Sequence, residues 1–295
     1  MFNLKKGYLV SGIITGCILL FTFFSQLPDG KLHIVFCDVG QGDAAYIKFP
    51  NGKDMLIDGG PGGKTPKVLG CLGKYMPFFD RTIDIVLLTH PQEDHLGGLT
   101  EVVKRYTVAN FLHSDVGNST QGFETLMSTV KEKHISERIV GTGEKITVGT
   151  TLISVVWPAP SFLAEKKSSN VLGISNVNDA SVVLKLSYGT FDALFPGDAD
   201  SRVDRELIKL PLLDDIEILK VPHHGSKTGM TEGFFQWLGP IKLAVISVGK
   251  NSYGHPGAET ITRLEKIGAQ VLRTDTKGNI EVVSDGKGWD MKWTE

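Results

Sequence analysis

Two imidazoles and a carboxylate stand together in Ile85-Val86-Leu87-Leu88-Thr89-His90-Pro91-Gln92-Glu93-Asp94-His95-Leu96-Gly97-Gly98. Imidazole nitrogen and carboxylate oxygen are the donors that zinc and similar dications take at about 2.0–2.2 Å. Three such donors within six residues, directly after an apolar run, are hard to explain as surface decoration. A second acid closes Phe191-Asp192-Ala193-Leu194-Phe195-Pro196-Gly197-Asp198, although Gly197-Asp198 read alone is equally a turn. A third stretch, Ile218-Leu219-Lys220-Val221-Pro222-His223-His224-Gly225-Ser226, delivers adjacent histidines. Neighbouring imidazoles point different ways, so one can bind metal while the other faces substrate. A fourth loop, Val248 to Pro256, carries His255. Five of the eight histidines thus follow apolar runs, whereas His33, His113 and His134 read as ordinary surface or core residues.

A dication held this way lowers the pKa of its water from ~15.7 toward ~7, giving hydroxide at neutral pH. Two ions about 3.5–4 Å apart clamp the attacking and leaving oxygens of a phosphodiester. Asp94 can act beyond ligation by orienting that hydroxide. His223, Lys220, Ser226 and His255 are candidates to neutralise charge on the non-bridging oxygens or to protonate the leaving group. Lys250 and Asn251 would extend the polar floor. Ser226 reads equally as a helix cap, and Lys220 as a solvated strand end.

Ligands clustered at the ends of rigid strands are positioned cheaply, and the chain supplies such strands. Extended runs are expected over 32–37, 44–49, 55–57, 85–88, 151–157, 181–187, 190–195, 216–221, 241–247, 271–273 and 279–283. Helical patterns are expected over 64–75, 99–105, 122–133, 200–210 and 259–267. Two groups of strands with interspersed helices predict two packed sheets with helices outside, in one domain over residues 31–295. The 34 glycines suit many short strands, and 41% hydrophobic with 22% charged residues excludes a disordered tail or a fibre. A net charge of −2 excludes a surface that grips nucleic acid everywhere by charge, while permitting a local basic groove. Cys17, Cys37 and Cys71 share no short spacing, so neither a thiolate zinc site nor a disulfide framework is expected.

Residues 7–28 carry no charge and follow Lys5 and Lys6. About 20 apolar residues are what a helix needs to cross the hydrocarbon layer, and the basic flank keeps the start of the chain cytoplasmic. A transmembrane anchor is expected in preference to a cleaved signal, whose small-residue site is missing around Phe23 and Phe24. An anchor gives a single-pass cell-membrane protein with its catalytic domain extracellular; cleavage would make it secreted.

The run His90-x-x-x-Asp94-His95-x-Gly97-Gly98, with Leu56-Ile57-Asp58-Gly59-Gly60 before it, resembles the metallo-β-lactamase-like superfamily. More narrowly, Asp38-Val39-Gly40-Gln41-Gly42-Asp43-Ala44, Asn178-Asp179-x-Ser181, Pro196-Gly197-Asp198, Lys220 to Ser226 and Gly254-His255-Pro256 resemble the extracellular hydrolase domain of the ComEC competence proteins. The resemblance implies an α+β, four-layer αβ/βα sandwich with the metal site between the loops of the two sheets. It implies one ion, zinc or manganese, on Asp94, His95, Asp198 and one of His223 and His224, with His224 preferred. A second ion would use His90 and share Asp198. Gln92 occupies a position where the family carries a ligand, and a neutral amide is a poorer partner for a dication. One tightly held ion is therefore expected. The implied activity is that of a phosphodiesterase or nuclease on extracellular, single-stranded DNA, with a separate DNA-uptake membrane protein as the implied partner. Cleavage of a choline phosphate ester or a thioester, and a degenerate ligand-binding relative, are the competing readings.

Overall fold

A computed structural model describes residues 4–168, 174–210, 213, 215–229 and 231–294. Among them the strands are β1 (Leu32–Phe36), β2 (Ala45–Lys48), β3 (Asp54–Ile57), β4 (Thr82–Leu88), β5 (Thr107–His113), β6 (Ser136–Ile139), β7 (Lys145–Val148) and β8 (Thr151–Trp157). They continue as β9 (Val183–Tyr188), β10 (Phe191–Phe195), β11 (Ile218–Lys220), β12 (Leu243–Ile246), β13 (Gln270–Arg273), β14 (Ile280–Ser284) and β15 (Trp289–Trp293). One sheet runs β15-β14-β1-β2-β3-β4-β5-β6 and the other β13-β12-β11-β10-β9-β8-β7.

Side chains alternate across each strand, and both faces are apolar. Leu32, Ile34 and Phe36 of β1 and Ile85 and Leu87 of β4 enter the space between the sheets. There they meet Leu184, Phe195 and Val245, and the Phe36 and Phe195 rings stack at 5.9 Å. The alternate residues Val35, Val86 and Leu88 pack outward under helices Lys67–Tyr75, Leu99–Arg105 and Gln121–Glu132. Ala244 and Ile246 of β12 likewise pack under Glu232–Trp237 and Ala258–Lys266. Four layers result, two sheets inside and helices on either side. Thr120 and Thr231 accept the Phe123 and Phe234 backbone N–H groups and start two of these covering helices.

β3, β4, β5 and β6 are parallel, as are β10, β11, β12 and β13. Their carboxyl ends meet at one edge of the sandwich, where ligands of open α/β sheets bind.

The structure departs from the sequence reading in several places, the helices Pro160–Ser168, Ile174–Asp179 and Glu232–Trp237 among them. Strands β5, β6, β7 and β15 were not expected; β6 is exposed along its whole length and β15 is an edge, so neither shows a buried alternation. The helix expected over 200–210 is confined to Asp204–Leu207. Cys37 and Cys71 form a disulfide with their Cα atoms 5.9 Å apart, correcting the expectation of none. Cys37 follows β1 and Cys71 lies in the helix that covers the same sheet face, a proximity that spacing alone does not reveal. Finally, the stretch 7–28 falls largely in a helix, Leu4–Ser25, with Ile13, Ile18, Phe21 and Phe24 exposed. Among the described residues no helix is long and apolar enough to cross a membrane, so the expected spanning helix is not supported.

Candidate metal centre

β4 is buried along most of its length and ends at Leu88, so Thr89 and His90 emerge at the carboxyl edge. Gln92 then opens the short helix Glu93–Leu96, which turns Asp94 and His95 back over the strand end. Gly98 allows this return: a Cβ there would lie 2.1 Å from the Gly59 carbonyl oxygen. Asp58, just beyond β3, accepts the Thr89 backbone N–H at 2.8 Å, the Thr89 hydroxyl at 2.7 Å and His95 Nδ1–H at 2.8 Å. The opposite sheet supplies Asp198 after β10 and His223 and His224 after β11. Both histidines hold left-handed backbone, φ 51° and 53°, a conformation that costs free energy outside glycine.

These loops converge. His95 Nε2 lies 3.3 Å from Asp198 Oδ1, His224 Nε2 lies 3.1 Å from Asp94 Oδ2 and 3.6 Å from Asp198 Oδ2, and His90 Nε2 lies 4.0 Å from Asp198 Oδ2. In each of the sets His90–His95–Asp198 and Asp94–His95–His224, donor atoms lie within 4.8 Å of one another. The Nδ1 atoms are already committed: His95 to Asp58, His224 to the Ser247 carbonyl at 3.0 Å, and His90 to the Thr89 hydroxyl at 3.1 Å. Nε2 is therefore the atom each ring turns toward the centre, the orientation that supporting groups impose on metal-binding histidines.

Nε2 of His90 and His95 and both Asp198 oxygens are buried with no hydrogen-bond partner. Such atoms are costly unless something fills the space they face. Imidazole with carboxylate suits zinc or manganese, so the residues fit a dication. The electrostatics agree. Burial and the neighbouring His95 push His90 down to about 3. Burial also opposes charge on His224, yet Asp198 and Asp43 raise it to about 10. Against the same penalty, Asp198 and Asp58 hold His95 well above the ordinary imidazole value. The carboxylates thus draw positive charge into the centre.

A cleft of about 980 Å³ opens beside this cluster, lined by Asp94, Gln92, His223, Lys250, Tyr253 and His255 among others. His224 is buried in the centre, while His223 keeps a side chain 23% exposed and faces the cleft. Gln92 donates its amide N–H to Asn178 Oδ1 at 2.6 Å, and its side chain also reaches His90. Neighbouring Asp179 pairs with Arg202.

Two residues expected to touch substrate are placed otherwise. Lys220 is buried and ion-paired with Asp43, because β11 ends inside the sandwich rather than in solvent. Ser226 is buried and its hydroxyl meets that of Thr228. Asn251, expected as polar floor, spends its amide on its own loop. His33 pairs with Asp29 and Glu281, and His113 with Glu137 and the Ser114 carbonyl, away from the centre. Asp43 was not read as a site residue, although it belongs to two further sets that could hold a metal, with Asp58 and His95 and with Asp198 and His224. Its place in Gly40-Gln41-Gly42-Asp43 was the available signal.

Comparison with known proteins gives the same picture. ComE operon protein 3 of Bacillus subtilis (strain 168) is 27% identical over 305 residues, covering 94% of this chain and 37% of that protein. Recombination protein 2 of Haemophilus influenzae is 26% identical over 283 residues, covering 92% of this chain and 31% of its own. Competence protein ComA of Neisseria gonorrhoeae is 24% identical over 259 residues, covering 86% of this chain and 33% of its own, and the chain spans about a third of the length of each of these relatives. Among solved structures, the metallo-beta-lactamase fold protein YhfI from Bacillus subtilis superposes with a TM-score of 0.54 at 12% identity, covering 85% of this chain and 99% of its own. The family model of the metallo-beta-lactamase superfamily matches residues 37–234. With two sheets that join their carboxyl edges around His90, Asp94, His95, Asp198 and His224, the chain belongs to the metallo-beta-lactamase superfamily and has its metallo-hydrolase fold.

Proposed function

We propose that this chain is a membrane-anchored, extracytoplasmic, metal-dependent phosphodiesterase that cleaves DNA. The observation that carries the reading is the convergence of His90 Nε2, His95 Nε2 and the two Asp198 oxygens, buried without hydrogen bonds beside an open cleft. Asp94, His95, Asp198 and His224 would hold one dication. His90 with the shared Asp198 offers a poorer second position, since Gln92 brings no charge and is tied to Asn178. A bound dication supplies Lewis acidity and a water whose pKa falls toward ~7. The chain's own groups do the rest. Asp94, its side chain 32% exposed, stands between centre and cleft and orients the attacking group. His223 and His255 face the cleft and donate to the non-bridging oxygens or the leaving group.

The Cys37–Cys71 disulfide supports an oxidising, extracytoplasmic setting. The relatives' names, which speak of recombination and competence, support DNA as substrate. The exposed apolar side chains of Leu4–Ser25 support a seat in a membrane.

The full chain purified in detergent with zinc or manganese should cleave single-stranded DNA, carry one tightly held ion, and lose activity in Asp94→Ala. Inactivity on DNA across metals, with turnover of a choline phosphate ester or a thioester instead, overturns the substrate assignment. Inactivity on all of them overturns the catalytic one.

A further inference from the structure

We infer that Tyr253 is a stacking platform for a nucleobase next to the scissile phosphate, which makes the cleft selective for unpaired strands; the inference rests on the phosphodiesterase reading above. Tyr253 is 76% exposed and lines the cleft mouth. An aromatic ring left in water contributes no burial free energy, and the loop that carries it is nonetheless firmly built. Asn251 Nδ2 donates to the Gly249 and His255 carbonyls at 2.9 and 2.8 Å, and its Oδ1 accepts the Tyr253 and His255 N–H groups at 3.1 Å each. That uses the whole hydrogen-bonding capacity of one amide to hold one loop.

The loop's base is clamped as well. The Gly249 N–H donates to Gln41 Oε1 at 3.3 Å, and a Cβ at Gly249 would lie 2.4 Å from the Gln41 nitrogen. The backbone that carries the ring is therefore already ordered, which leaves mainly the ring's own rotamer freedom to lose on binding.

Its position gives the ligand. Rings lead outward from the centre: His223 Nε2 lies 4.0 Å from Asp198 Oδ2, the His223 and His255 rings are 5.4 Å apart, and those of His255 and Tyr253 are 5.8 Å apart. A phosphate at the centre places the adjoining nucleotide along this line, with exposed Lys250 on the same rim for the next phosphate. A base can lie on Tyr253 only when its face is free, so a paired, stacked base is excluded. Stacking on an aromatic side chain is tolerant of sequence. Tyr253 touches the substrate away from the reacting atoms and acts on binding rather than on the chemical step.

The test uses the full chain in detergent and a fluorescent single-stranded oligonucleotide, with a duplex and an abasic strand of equal length as comparisons. Tyr253→Ala should weaken binding of the single strand by about tenfold or more and raise KM with little change in kcat. Tyr253→Phe should retain wild-type binding, and the abasic strand should bind equally to all three proteins. Equal binding of the single strand to wild type and Tyr253→Ala, or no binding to wild type, overturns the inference. Binding that depends on Tyr253 without cleavage upholds the platform and overturns the phosphodiesterase instead.

Discussion

His95 Nδ1 and Asp58 Oδ2 lie 2.8 Å apart, both residues fully enclosed, and the bond fixes which nitrogen of His95 faces Asp198. Asp58 also accepts two hydrogen bonds from Thr89, so one carboxylate orients the strand end and the ring together. Replacing Asp58 by Asn keeps the shape and an acceptor for the Thr89 N–H. It also presents an amide N–H to His95 Nδ1, which forces the proton onto Nε2, the atom needed for the metal. Asp58→Asn should therefore bind metal about 10–100-fold more weakly. Titration with zinc or manganese against a competing chelator measures it; unchanged affinity would show that the ring is oriented by something else.

In the proposed centre, Gln92 would limit the number of ions. Its amide donates to Asn178 at 2.6 Å and adds no charge beside His90. Gln92→Asp would place a carboxylate there and release Asn178, so the second position should fill. Elemental analysis should move from about one ion per chain toward two, with a rise in the rate of DNA cleavage. Two full ions in the wild type would contradict the role given to Gln92.

The Lys220–Asp43 ion pair is enclosed, with side chains 6% and 7% exposed. Burial alone would raise the Asp43 carboxyl, but Lys220 and then His224 hold it below the ordinary carboxylate range. Removing only the cation strands a buried charge, which typically costs about 3–5 kcal/mol. Lys220→Met should thus be strongly destabilised, and Asp43→Asn/Lys220→Met should recover much of the loss. Chemical denaturation of the metal-free proteins reads both values. A stable but inactive Lys220→Met would instead return Lys220 to the substrate-binding groups.

That pair also marks where sequence reading stops. Leu88 to His95 was legible because an apolar run ends abruptly in ligand-type residues, a contrast set by one local segment. The apolar runs of β1, β4 and β12 were legible for the same reason, being buried on both faces. Asp43 and Lys220 are separated by 177 positions, and each alone looks like a solvated loop or strand-end residue. Only the closure of the two sheets reveals that they neutralise one another. The Cys37–Cys71 bridge was hidden likewise, since the 34-residue separation has no spacing signature. Edge strand β15 was hidden by its mixture of Trp and charged residues.

Far from the metal centre, Asp54 at the start of β3 carries the last prediction. It is 3% exposed, accepts the Tyr46 hydroxyl on Oδ2 at 3.0 Å, and accepts the Asp84 backbone N–H on Oδ1 at 3.0 Å. Burial is the main force on it, and with the nearby Asp84 and Asp80 charges it outweighs these hydrogen bonds and raises the carboxyl from 3.8 to about 7. The native state therefore holds a proton that the unfolded chain releases. The contribution of this group is fully present below the unfolded value of 3.8 and is lost as pH rises to about 7. At 1.36 kcal/mol per pKa unit the loss is at most about 4 kcal/mol. Asp54→Asn removes the titration, keeps an acceptor for Asp84, and lets its amide donate to the Tyr46 oxygen. Thermal unfolding of the two proteins should coincide near pH 4, with the variant increasingly the more stable up to pH 8. A difference that does not change with pH would mean that Asp54 is ionised throughout.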